Sequence, residues 1–344
     1  MKTLHRRILL GIVFGVLVIA GLMIFADAEA LMASLSGFDA VVLLPVLGVV
    51  SVGYALRVVK WQLYLRAVDV RLPWVESAWV FLAGLVMSIT PAKVGEVLKS
   101  FLLKEARGVP ITRTAPIVVA ERLTDLLALV MLAAWGAALS GYGVTLVVVS
   151  STLTLGLLTL LAWPRATHAL LRIFGRLPLV GRFQTRLEEA YESMLTLIGW
   201  RILLVTTGLS ILAWGGEGLC AAWIFDAFAI SGGWEVAVFI FSFATLAGAL
   251  SMLPGGLLAT EASMIGLITG VFALTTSDEA ATSATLLIRF CTLWFAVAVG
   301  CVALGVFRRH YLTRTSRPEM TPSETATLDG PPSQEADAES SFER

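Results

Sequence analysis

Six stretches of this chain are too long and too apolar for a water-soluble fold. Residues 8–26, 41–59, 114–139, 144–163, 202–225 and 280–307 approach or exceed a membrane-spanning length. An α-helix needs roughly 20 residues to cross about 30 Å of hydrocarbon. Strands of a β-barrel would alternate in polarity and run about half as long. Composition agrees: 57% of the 344 residues are hydrophobic and 15% charged, with a mean hydropathy of +0.85. Soluble domains carry about one-quarter charged residues. The expected fold class is therefore all-α and polytopic, in a membrane.

Orientation follows from where lysine and arginine gather in short loops. Lys2, Arg6 and Arg7 precede the first stretch, and Asp27, Glu29 and Asp39 follow it. That start is too long in its apolar part for a cleaved signal peptide, so an uncleaved first span is expected. Arg57, at the end of the second stretch, and Lys60, Arg66 and Arg71 after it form one basic group, and Lys104, Arg107 and Arg113 come before the third stretch. All of these belong on the cytoplasmic side. So does the segment 164–201, with Arg165, Arg172, Arg176, Arg182, Arg186 and Arg201. There Leu187, Tyr191, Met194, Leu195 and Ile198 recur at helical spacing, which predicts a basic amphipathic helix on the inner surface. Both termini are expected in the cytoplasm. Residues 311–344 are polar, acidic and rich in Pro, Ser and Thr, the composition of a disordered tail.

Two further apolar segments are broken. One, MSITPAKVGEVLKSFLLKE at 87–105, lies between two cytoplasmic basic clusters, so the chain must enter the membrane and come back. From 78 to 90 there is about 20 Å of helix at 1.5 Å per residue, too short for a crossing. A re-entrant hairpin fits. The second, SMLPGGLLATE at 251–261, interrupts an apolar run. Whether residues 236–274 form a re-entrant hairpin or two full spans stays open. Both breaks have Ser three residues before Pro (Ser88 and Pro91, Ser251 and Pro254). Both have Gly and Glu after it: Gly95 and Glu96 in the first, Gly255, Gly256 and Glu261 in the second. Interrupted segments at matching positions of two halves point to an inverted-repeat arrangement. The expectation is about six full spans plus two broken hairpins.

A break at membrane depth exposes backbone polar groups, tolerable where they line a wet cavity or pack on protein. A half-helix starting at Pro91 and capped by Thr90 would aim its positive end inward, with Lys93 adding a full charge. Together they suit a phosphate. The alternative is that Lys93 and Lys99 extend to the inner surface. In the third span, ERLTD sets Glu121 and Asp125 on one face and lets Arg122 reach Asp125 at i,i+3. Buried charge is costly and normally pairs or faces a cavity, so a structural ion pair and substrate or proton handling both remain. Glu217, within WGGEG, suggests close helix approach or local unwinding. Arg289, in the last span, is a candidate phosphate contact or a partner for Glu261.

These residues resemble the flippase-like membrane family that includes the transmembrane region of lysylphosphatidylglycerol synthase/flippase proteins. The first signature is met by Pro91, Lys93, Gly95 and Glu96, then Glu121, Arg122 and Asp125, with Ala92 where glycine is common. The second is met by Pro254, Gly255, Gly256 and Glu261, with Leu258 or Ala259 where a further glycine is often seen. RFCTLWFAVAVG at 289–300 is similar to the family's last helix. The resemblance covers about residues 5–310 and implies a flippase-like membrane domain over 1–310. By analogy it implies translocation of a phospholipid or polyprenyl-linked lipid between leaflets of a bacterial inner membrane. The synthase members' cytoplasmic acyltransferase-like domain is not expected here.

The candidate substrate-binding set is Lys93, Glu96, Lys99, Glu121, Arg122, Asp125, Glu217, Glu261 and Arg289. The partner is expected to be an anionic or phosphate-bearing membrane lipid, with a lipid or glycan synthase as a further possible partner and no nucleic acid. Other functions stay open: a lipid-modifying membrane enzyme, or an accessory subunit of such a synthase. His5, His168 and His310 lie near the termini or in the cytoplasmic loop, away from any catalytic constellation. Cys220, Cys291 and Cys301 fall within predicted spans without ligand spacing, so neither metal nor cofactor is expected.

Overall fold

The computed structural model describes residues 38–90, 94–140 and 199–312, with the single positions 148, 152 and 197. The predicted span at 8–26, and that at 144–163 apart from positions 148 and 152, therefore lie outside the described residues. So do most of the basic segment, nearly all of the tail, and Pro91, Ala92 and Lys93.

Eight helices make up the described chain. Helix α1 (Leu43–Ala67) is led by a 3-10 turn that Asp39 caps through Val41 N–H at 3.0 Å. It stops where Asp69 takes a positive φ of 55°. That left-handed conformation ends many helices and is one that Asp tolerates better than most. Gln62 ties the following loop back by donating to the Leu72 carbonyl at 3.0 Å. Pro73 then starts α2 (Trp74–Gly84), which tightens into a 3-10 turn over Leu85–Met87. After the first break, a 3-10 turn (Val94–Val97) that includes Gly95 leads into α3 (Leu98–Arg107). Gly108, at φ 69°, ends it. Arg107 closes the base of this hairpin with both carboxylate oxygens of Glu76, which is buried.

Helix α4 (Ile111–Ser140) is the 30-residue centre of the first half. Helix α5 (Trp200–Ala227) packs against α1, α4 and α6 (Gly233–Leu250), and α6 also packs along α4. After the second break comes α7 (Ala259–Gly266), widening into a π turn over Leu267–Val271. Ser277 caps α8 (Asp278–Tyr311) by accepting from Ala280 N–H at 3.0 Å. A π turn at Phe290–Trp294 interrupts α8 one residue after Arg289. Such insertions shift a helix's register and recur at functional sites.

Four of these helices are long and apolar enough to cross a membrane: the one ending at Ala67, then α5, α6 and α8. Large apolar side chains such as Val52, Leu204, Leu212 and Val302 are exposed on them, while Lys60, Glu121, Asp125 and Glu217 are buried. Charge inside and grease outside is the distribution a bilayer selects. The protein is an integral membrane protein. Helix approach relies on missing side chains. A Cβ on Gly218 would sit 3.3 Å from the Val238 Cα, and one on Gly300 would run into the Val86 backbone. Glu217 therefore marks close approach rather than unwinding, since α5 is continuous through WGGEG.

The two breaks meet. Ile89 of the first, Leu257 of the second and Leu293 of the α8 π turn form a small buried cluster apart from the main core. A Cβ on Gly255 would touch Ile89 at 3.4 Å. The arms differ in length: Trp74–Met87 and Ala259–Val271 are short, whereas α6 has 18 residues, about 27 Å.

The second break carries four residues of positive φ: Met252 at 58°, Gly255 at 62°, Gly256 at 66° and Leu258 at 71°. Leu258, with ψ −52°, sits near the rare, strained γ-turn conformation. This is one of the two positions where the resemblance led one to look for a further glycine. Leu258 is also about half exposed, so it loses little packing when truncated. Leu258→Gly is expected to stabilise the protein by about 1 kcal/mol, strain relief outweighing the added chain entropy. Thermal unfolding in detergent reads this directly, and a lower transition temperature would contradict it.

Candidate functional site

Between the two breaks lies a cavity of about 510 Å³. Its walls come from α1, α2, α4 to α8 and both breaks. They are largely apolar, with Phe81, Leu85, Leu126, Leu129, Trp214, Phe241 and Met264 among them. Charge enters at six side chains: Arg57, Arg122 and Arg289, with Glu96, Asp125 and Glu217. Ser88, Thr90, Thr245 and Thr260 add hydroxyls, and Gly255 and Gly256 add backbone.

The ERLTD segment of α4 holds the largest charge cluster. Asp125 Oδ1 accepts from Lys60 Nζ at 2.7 Å and from Ser210 Oγ at 3.0 Å, while Oδ2 faces Arg122 Nη2 at 3.1 Å. The expected i,i+3 pairing of Arg122 with Asp125 is present. Arg122 also reaches Glu96 Oε2 at 3.1 Å. Lys99 Nζ lies 3.4 Å from that same oxygen and 2.5 Å from Glu121 Oε2. Three cations and three carboxylates are thus chained across α1, α3, α4 and the 3-10 turn. Lys99 does not extend to the inner surface. It is buried between the Trp61 and Phe81 rings, 4.9 and 4.8 Å from their centroids, and its stem fills the space a Cβ on Gly84 would need.

Two smaller units face the same space. Arg57 Nη1 pairs with Glu217 Oε1 at 2.7 Å and stacks 4.4 Å over Trp214. Arg57 Nη2 is buried without a hydrogen-bond partner. Arg289 Nε donates to Glu261 Oε1 at 2.6 Å, and its Nη2 to the Gly255 carbonyl, also at 2.6 Å. Of the two roles open for Arg289, the pairing with Glu261 is realised, and the same guanidinium holds the tip of the second break. Glu261 Oε2 is left without a partner.

Of the predicted site residues, Glu96, Arg122, Asp125, Glu217 and Arg289 line the cavity. Glu121, Lys99 and Glu261 stand behind the wall, each ion-paired to something nearer or beside it. Lys93 and Pro91 fall outside the described residues. Thr90, expected as a cap, donates its hydroxyl back to the Met87 carbonyl at 2.7 Å and lines the cavity.

Arg57 and Lys60 were read from the sequence as marks of the cytoplasmic side, whereas both sit in the bundle's interior. The available signal was periodicity: Tyr54, Trp61, Tyr64 and Leu65 keep a buried face going past Val59, so α1 does not end there.

The sequence matches the family described as lysylphosphatidylglycerol synthase TM region over residues 12–300, which includes both breaks and every cavity-lining residue. The chain belongs to that family. No curated protein matches it. As a member of the lysylphosphatidylglycerol synthase TM region family, it carries the family match across α1 to α7 and along α8 as far as residue 300.

Proposed function

We propose that this protein moves a phosphate-bearing lipid between the leaflets of the membrane. The observation that carries the reading is the cavity: three arginines, each paired with a carboxylate, and two broken helical tips meet within otherwise apolar walls. An arginine fork suits a phosphate diester, and apolar walls suit the first methylenes of the tails. The family takes its name from lysylphosphatidylglycerol synthase, which supports a phospholipid as the class of cargo.

In this reading α2/α3 and α6/α7 are two re-entrant arms of an inverted repeat, entering from opposite faces and meeting near the bilayer's middle. Residues 1–310 form the transporting unit, both termini face the cytoplasm, and 164–201 lies on the inner surface. Rocking of the halves about the Ile89–Leu257–Leu293 contact exposes the cavity to each leaflet in turn. The protein acts as a transporter rather than an enzyme, with no metal or cofactor.

The test is reconstitution into liposomes containing a phospholipid with a fluorescent acyl chain, followed by quenching from outside. Wild type should bring inner-leaflet label into reach. Arg122→Gln should slow this at least about tenfold, the scale of one lost charged hydrogen bond. No movement of any phospholipid or polyprenyl phosphate would sink the reading. An accessory-subunit role predicts that the Arg122 variant behaves as wild type while loss of the basic segment 164–201 abolishes function in cells.

A further inference from the structure

Lys60 is 1% exposed and does not line the cavity, yet it touches the residue that does. Its Nζ lies among four oxygens: Asp125 Oδ1 at 2.7 Å, Ser210 Oγ at 2.8 Å, Thr124 Oγ1 at 3.2 Å and the Glu121 carbonyl at 3.4 Å. Beyond Thr124 the hydroxyls continue through Tyr64 at 3.3 Å to Thr206 at 3.1 Å. As a staple between α1, α4 and α5 this is an expensive choice, because packed apolar side chains hold helices together at least as well as a buried ion pair.

We propose that Lys60 is the proton-exchanging group that couples proton movement to lipid movement, an inference that rests on the transport reading above. Asp125 is the link. One of its oxygens holds Lys60, and the other holds Arg122 on the cavity wall. While Lys60 is charged, Asp125 keeps a cation at 2.7 Å and can release Arg122, still flanked by Glu96, to a lipid phosphate. When Lys60 is neutral, Arg122 is the ion-pair partner that Asp125 retains, and the phosphate is expelled. Proton and anion therefore bind together, and by linkage each raises the other's affinity equally.

In the exchange step, the proton leaves Nζ along the 2.7 Å hydrogen bond to Asp125 Oδ1. It passes from that carboxyl group to water in the cavity. The nitrogen keeps the electron pair as a neutral amine, the carboxylate ends as it began, and reloading reverses the path. The groups facing Lys60 are Asp125, Glu121 and Arg122 of α4, with Arg57 and Tyr64 of its own helix. Helix α5 brings Ser210, Thr206 and, paired to Arg57, Glu217. Lys99 of α3 lies on the Trp61 ring, and Glu76 of α2 is held by Arg107.

The experiment uses the full chain in liposomes containing fluorescent phosphatidylglycerol. Flipping is timed under a proton gradient of roughly one pH unit, in either direction, or a tenfold sodium gradient at equal pH. For wild type, one direction of the proton gradient should speed flipping more than about threefold, within the tenfold that one pH unit can supply. Sodium should change nothing. Lys60→Arg keeps the charge and its pairing but stays protonated, so its rate should not respond to the proton gradient. A purely structural role predicts that the same variant retains the response.

Wild-type flipping that ignores the proton gradient, or follows sodium instead, overturns the coupling while leaving the transport reading intact. An Arg variant that responds like wild type also overturns it. Should that variant fail to fold, Lys60→Gln, which also cannot exchange a proton, takes its place under the same gradients, and a wild-type-like response in it overturns the assignment. Absence of flipping under every condition removes the transport reading, and the coupling with it.

Discussion

Asp125→Ala should lower stability by about 3–5 kcal/mol, the usual cost of breaking a buried pair by removing one partner. The carboxylate compensates Lys60 and Arg122 at once and accepts from Ser210. Its loss leaves Lys60, which is 1% exposed, with neutral oxygens as its nearest partners. For a protein of this size the unfolding temperature in detergent should fall by about ten degrees. The diagnostic part is the double variant. Lys60→Met removes the stranded charge and fills its volume with an apolar chain, so Asp125→Ala with Lys60→Met should recover much of the loss. Residues in one network behave non-additively in this way, whereas independent sites add. If the two changes simply add, Lys60 and Asp125 do not form the unit their geometry describes.

The same cluster shows what a sequence reveals of such a protein. Arg122 and Asp125 are three apart on one helix, so their pairing follows from helical periodicity, and the structure has it. Glu121 shares a face with Asp125, yet the two carboxylates serve different helices, Lys99 of α3 and Lys60 of α1. That division depends on how α1 and α3 pack around α4, which no local pattern encodes. Lys60 and Arg57 were hidden for a related reason. A basic residue near the end of an apolar run has two physical explanations, the cytoplasmic surface or a buried partner, and the partners lie 65 and 160 residues away. The broken segments were easier, because proline and glycine act on their own backbone. Even there, it took the fold to show the tips touching through Ile89 and Leu257. Leu258 completes the contrast: its strain comes from a turn that the chain closes with a residue poorly suited to it.

The second large effect is expected at Arg289. Its planar fork does two jobs: Nε holds Glu261 at the start of α7, and Nη2 holds the Gly255 carbonyl in the break itself. Arg289→Ala strands Glu261, which is 2% exposed and already has one oxygen without a partner. The expected loss is again about 3–5 kcal/mol. Arg289→Lys separates the two jobs, since an ammonium is a point charge without the fork. It should keep the pair with Glu261, recover more than half of the stability, and leave Gly255 untethered. Under the proposed transport function, flipping in liposomes should then stay at least about tenfold slow although the protein is folded, because a misplaced tip costs function far more than stability. Glu261→Gln reverses the emphasis: it weakens the ion pair but leaves the Gly255 contact available, so flipping should survive better than in Arg289→Lys. If the two variants rank the other way, the second break is organised by the Glu261 charge and not by the arginine that ties its tip to α8.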